Sequence, residues 1–141
     1  MSLDYCLEKG LLKKIAPNKD YSEKEWKEAF VDLEAGKAAL AEGKAKWAIV
    51  AFYYSMFHAA KAVMFLEGWK ESAHYAVAEY LQDLAKRGKL ESRFANDFSA
   101  AMSLRQSADY HYDHSEQSAK KLLFMCEEFL EAMKKVGKVF S

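Results

Sequence analysis

The sequence is poor in the residues that mark most other classes of protein. One proline, Pro17, and six glycines in 141 residues are too few turn formers for a strand-rich fold. Cys6 and Cys126 are the only cysteines, far apart and outside any C-x-x-C pattern. They suggest neither a zinc site nor a disulfide framework, and they fit a reducing cytoplasm. An excess of one charge is also missing. Lysine and arginine (21) balance aspartate and glutamate (21), so there is no global positive field for wrapping a long nucleic acid, although a local basic patch stays open. Met1 to Gly10 contains Asp4 and Glu8 and no uninterrupted apolar run, unlike a signal peptide, so a cytoplasmic location is expected. Ala48 to Leu66 approaches membrane-span length, but it includes His58, Lys61 and several tyrosines, which a lipid-facing helix would have to solvate. It reads as a central core helix, and no membrane association is expected.

What is present is apolar periodicity. About half the residues are apolar (51%) and nearly a third charged (30%), a composition that can bury one core but not two at this length. The fold class expected is all-α: an up-and-down helical bundle of four to five main helices with a short N-terminal helix. Residues 1–21 are read as that helix and a connector, 22–136 as the bundle, and 137–141 as a tail. Met1 to Lys14 is the stretch assigned to the first helix. Ser22 and Glu25 form an S-x-x-E capping box that predicts a helix start, with Trp26, Ala29, Phe30, Leu33 and Leu40 on its apolar side. Lys44 to Glu67 follows, with a stripe through Trp47, Val50, Ala51, Tyr54, Phe57, His58, Lys61 and Phe65. Gly68 stops that helix. Further helices are expected from Ser72 to Arg87, from Ser92 to Tyr110, and from just after Asp113, where a D-x-x-E box falls, to Val136.

Polar chemistry concentrates in Leu104-Arg105-Gln106-Ser107-Ala108-Asp109-Tyr110-His111-Tyr112-Asp113-His114, at the predicted junction of two core helices. Arg105 and Asp109 are four apart, which on a helix gives an ordinary ion pair. His111 is six beyond Arg105, well over half a revolution away on an uninterrupted helix. If the helix ends near Tyr110, the chain can fold His111 back towards the arginine, setting a permanent cation beside a group that exchanges protons near neutral pH. That pair can cleave RNA without a metal. The histidine handles the 2′-hydroxyl or 5′-oxygen proton while the guanidinium stabilises the phosphate charge. Tyr110 and Tyr112 flank His111 as stacking platforms for a base. His58 and Lys61, one turn apart, either face the same phosphate cleft or are a satisfied core histidine and a lysine reaching solvent. His111, His114, Asp109 and Asp113 include metal-ligand types, but no H-E-x-x-H or E-x-x-H signature accompanies them, so neither a metal nor a cofactor is expected.

The run Tyr53-Tyr54-Ser55-Met56-Phe57-His58-Ala59-Ala60-Lys61-Ala62, with Leu104 to His111 after it, resembles the small prokaryotic and archaeal HEPN proteins over roughly Ser22 to Val136. In that family an R-x(4–6)-H motif near the start of the last long helix, or at the turn before it, forms a composite site across a dimer, and Arg105 and His111 match it as R-x5-H. The resemblance implies a homodimer and a toxin-like, metal-independent endoribonuclease restrained by a minimal nucleotidyltransferase antitoxin. It equally implies the alternative of a non-catalytic module that binds RNA, a nucleotide or a nucleotidyltransferase partner. Two positions depart from the family pattern. Gln106 follows the arginine where Asn, Asp or His is common, and Tyr112-Asp113 follows His111 in place of an H-x-Y ending.

Overall fold

The computed structural model describes residues 2–137. The chain is an all-α bundle of α1 (Leu3–Glu8), α2 (Lys19–Ala41), α3 (Ala45–Glu67), α4 (His74–Lys86), α5 (Ser92–Tyr110) and α6 (Glu116–Gly137). Two short strands, β1 (Leu12–Lys14) and β2 (Trp69–Glu71), pair antiparallel with Leu12 opposite Glu71 and Lys14 opposite Trp69. Of the tail expected at 137–141, Gly137 closes α6 and the rest lies outside the described residues.

α3 is the centre of the bundle, packed by α2, α5 and α6. It is apolar enough to span a membrane, but most of it is buried within the protein, which identifies it as the core helix. Its outer edge is not where the stripe placed it. Ala48, Ile49, Phe52, Tyr53, Met56, Ala59, Ala60 and Val63 are buried, whereas Trp47 is 57% exposed and Val50, Ala51, Tyr54, His58 and Lys61 are only partly covered. In a helix with so few polar residues, period alone does not single out the buried side.

α2 and α3 form a close antiparallel pair. Ser22, Ala29 and Gly36, spaced by seven, present small side chains to α3. The Ser22 hydroxyl donates to the Ala62 carbonyl (2.7 Å), and the Ser55 hydroxyl donates to the Ala29 carbonyl (2.6 Å). Ser22 is therefore no cap. The helix begins earlier, where the Asn18 side chain accepts from the Tyr21 amide. At α6 the same role falls to Ser115, whose hydroxyl accepts from the Ser118 amide, in place of Asp113.

The N-terminal stretch also differs from expectation. Only Leu3–Glu8 is helical, and the chain then turns at Gly10 into β1. Buried Cys6 and Leu12 join this segment to the core, and Gly68, with φ at +85°, closes α3 while its carbonyl accepts from the Ile15 amide. A Cβ at Gly68 would lie 2.6 Å from the Ile15 carbonyl oxygen, so this crossing admits no other residue without a shift.

Candidate functional site

Arg105 lies on α5, one turn before the helix ends. Its side chain is only 15% exposed, lying over the rings of Tyr53 (5.2 Å to the centroid) and Tyr54 (5.9 Å) on α3. Asp109 is its ionic partner at 3.5 Å, and its Nε is buried with no hydrogen-bond partner. Burying a guanidinium with donors unused is unfavourable unless something completes the set. Two aromatic faces give cation–π stabilisation but accept no N–H.

The helix ends at Tyr110, as the spacing argument requires. The Ser107 carbonyl accepts from the amides of both His111 and Asp113, and Tyr112 adopts a left-handed backbone with φ at 55°. That conformation costs a non-glycine residue of order 1 kcal/mol, and here it caps the end of α5. The fold-back onto Arg105 is not made within one chain. The His111 side chain is exposed and makes no hydrogen bond, ion pair or ring contact with any described residue. Tyr110 and Tyr112 are 71% and 84% exposed, open for stacking.

His58 and Lys61 are already engaged. His58 Nδ1 donates to Glu25 Oε2, and its Nε2 lies 3.5 Å from Asp32. Lys61 sits 3.3 Å from Glu25 and 3.4 Å from Glu71, so the lysine expected to reach solvent is instead held between two carboxylates. Burial acts to raise the Glu25 pKa, but the His58 hydrogen bond and the Lys61 charge outweigh it and leave the carboxyl below its ordinary value. Asp32, where burial dominates over the charge of His58, is raised.

The histidine that the fold does bring towards Arg105 is His74, the first residue of α4. Its ring stacks on Phe57 (4.3 Å between centroids), and its Nδ1 is 2.7 Å from the Tyr53 hydroxyl. Burial, and then the charge of Arg105, lower its pKa. Nothing local in the sequence marks His74. Its partners are distant in the chain, so only the packing of α3, α4 and α5 reveals it.

A cleft of about 720 Å³ lies elsewhere, between the start of α5 and the end of α6. Its charged lining is mixed, Glu67, Glu91, Glu128 and Glu131 with Lys89, Arg93 and Lys135, and none of Arg105, His111, His58, Lys61 and His74 belongs to it. Among the described residues no group of three or more His, Cys, Asp or Glu is arranged to hold a metal ion.

The fold is an all-α bundle that carries a part-shielded arginine and an exposed histidine at the end of the same helix. The HEPN domain model matches residues 22–136, and the chain belongs to that family. It is also similar to the candidate toxin MJ0605 of Methanocaldococcus jannaschii, 26% identical over 109 residues that cover 76% of this chain and 81% of that protein.

Proposed function

We propose that this chain is a toxin-like, metal-independent endoribonuclease that acts as a cytoplasmic homodimer and is restrained by a minimal nucleotidyltransferase antitoxin. The observation that carries this reading is the buried, incompletely partnered guanidinium of Arg105, which is suited to a phosphodiester oxygen. The likeness to a candidate toxin supports it. In the reaction, His111 removes the 2′-hydroxyl proton of the substrate ribose, and the 2′-oxygen attacks the adjacent phosphorus. The bond from phosphorus to the 5′-oxygen of the next nucleotide breaks, and that oxygen takes the proton His111 collected, giving a 2′,3′-cyclic phosphate and a 5′-hydroxyl and restoring the neutral imidazole. Arg105 stabilises the charge on the non-bridging oxygens, and Tyr110 and Tyr112 stack on the flanking bases. An exposed His111 whose side chain has no partner among the described residues supports a site completed by the Arg105 of a second copy.

The same isolation of His111 favours a second reading. In it, Arg105 binds a nucleotide phosphate, or a phosphate presented by a nucleotidyltransferase, and no bond is cleaved. The test is cleavage of a mixed RNA substrate with chelator present. The wild type should yield 2′,3′-cyclic ends, and Arg105→Ala and His111→Ala should each lower the rate by about a hundredfold or more. A folded wild type that binds RNA without cutting it would select the binding module.

A further inference from the structure

Tyr53 is fully buried, and its hydroxyl has one hydrogen-bond partner among the described residues, His74 Nδ1 at 2.7 Å. Burial pushes the phenol well above its ordinary pKa, so the hydroxyl keeps its proton at any physiological pH. A buried O–H with one acceptor in reach donates to it. Nδ1 is therefore the accepting nitrogen, and the neutral imidazole carries its proton on Nε2. Phe57 stacks against the ring and holds its plane.

Nε2 has no hydrogen-bond partner among the described residues and is not one of the buried unpartnered polar atoms. The charged and titratable groups acting on His74 are Arg105 from α5, Glu71 from β2, and Lys61 and His58 from α3. Two of these groups, Lys61 and His58, are committed to carboxylates. Arg105 and the His74 Nε2–H remain as donors with capacity to spare. Both residues lean on the same tyrosine, Arg105 over its ring and His74 at its hydroxyl.

We propose that His74 is a second substrate-contacting residue, whose Nε2–H donates to a non-bridging oxygen of the phosphodiester held by Arg105, with Tyr53 fixing the tautomer. This inference rests on the reading that Arg105 takes an RNA phosphate. It gives His74 a role distinct from that of His111, because a nitrogen that already bears its proton donates a hydrogen bond and does not act as the base. A rigid ring with its tautomer set in advance loses little freedom on binding.

The experiment is imidazole ¹⁵N NMR of the wild-type protein, titrated with a 2′-O-methyl RNA oligonucleotide that binds without being cleaved. The His74 proton should reside on Nε2, and both the His74 Nε2 and the Arg105 guanidinium signals should move on titration. Affinity for that oligonucleotide should fall about tenfold in His74→Ala, the loss of one hydrogen bond to a charged group. His74→Gln, which can restore an N–H near the Nε2 position, should stay within about threefold of wild type. A proton on Nδ1, or Arg105 signals that move while His74 stays still, would overturn the inference and leave the phosphate reading intact. Movement at neither residue would overturn both. The wild-type spectra decide the matter even if His74→Ala fails to fold.

Discussion

Glu25 sits between His58 and Lys61 of the central helix, accepting from His58 on one oxygen and facing Lys61 with the other. Replacing it with glutamine keeps the shape but leaves Lys61 to Glu71 and His58 to Asp32 alone. Glu25→Gln should destabilise the fold by about 1–3 kcal/mol in urea unfolding at pH 7. The pH dependence has a definite sign. A carboxyl held below its ordinary value of 4.5 contributes stability that is present above that pH and is lost as pH falls through the folded value. The wild-type and variant curves should therefore converge below about pH 4.5, with the raised Asp32 opposing part of the slope. Parallel curves down to pH 3 would show that Glu25 is not the group responsible. This network also shows what residue types disclose by themselves. Spacing put His58 and Lys61 on one face of α3, but their carboxylate partners on α2 and β2 come from tertiary contacts that no local spacing encodes.

At the scale of elements, helix interiors were legible and their edges were not. α3 and α5 run close to the spans read from apolar density and from Gly68, since long periodic segments leave little choice of structure. The S-x-x-E and D-x-x-E boxes misplaced two starts because Asn18 and Ser115 stood nearby as competing caps. Strands of three residues are too short to show an alternation, so β1 and β2 exist only through their pairing. The close approach of α2 to α3 is the most constrained of these features. At Gly36, helix propensity alone would favour alanine by about 1 kcal/mol. A Cβ there would lie 2.4 Å from the ring of fully buried Phe52, and overpacking of that kind costs about 1–3 kcal/mol. The clash should win. Gly36→Ala is expected to lower the thermal midpoint, and Gly36→Ala combined with Phe52→Leu should recover part of the loss; a stabilised Gly36→Ala would mean that the two helices slide apart freely.

At the scale of the whole molecule, the two residues of the R-x5-H pair are not brought into contact within one chain. Arg105 is folded against Tyr53 and Tyr54, whereas the His111 side chain stands on an exposed turn with no partner among the described residues. The half-covered edge of α3, with Trp47 57% exposed and Tyr54 partly so, offers apolar surface for a second copy. If each site takes its arginine from one protomer and its histidine from the other, mixing has a calculable result. Arg105→Ala and His111→Ala proteins, each inactive alone, unfolded and refolded together, give mixed dimers as about half of the population by random pairing. In a mixed dimer one site loses both residues and the other keeps both. Cleavage should therefore return to about a quarter of the wild-type rate. If each site used both residues from the same chain, every site in every dimer would lack one of them and the mixture would stay inactive. The return of activity therefore tests the shared cleft directly and does not depend on which RNA is cut.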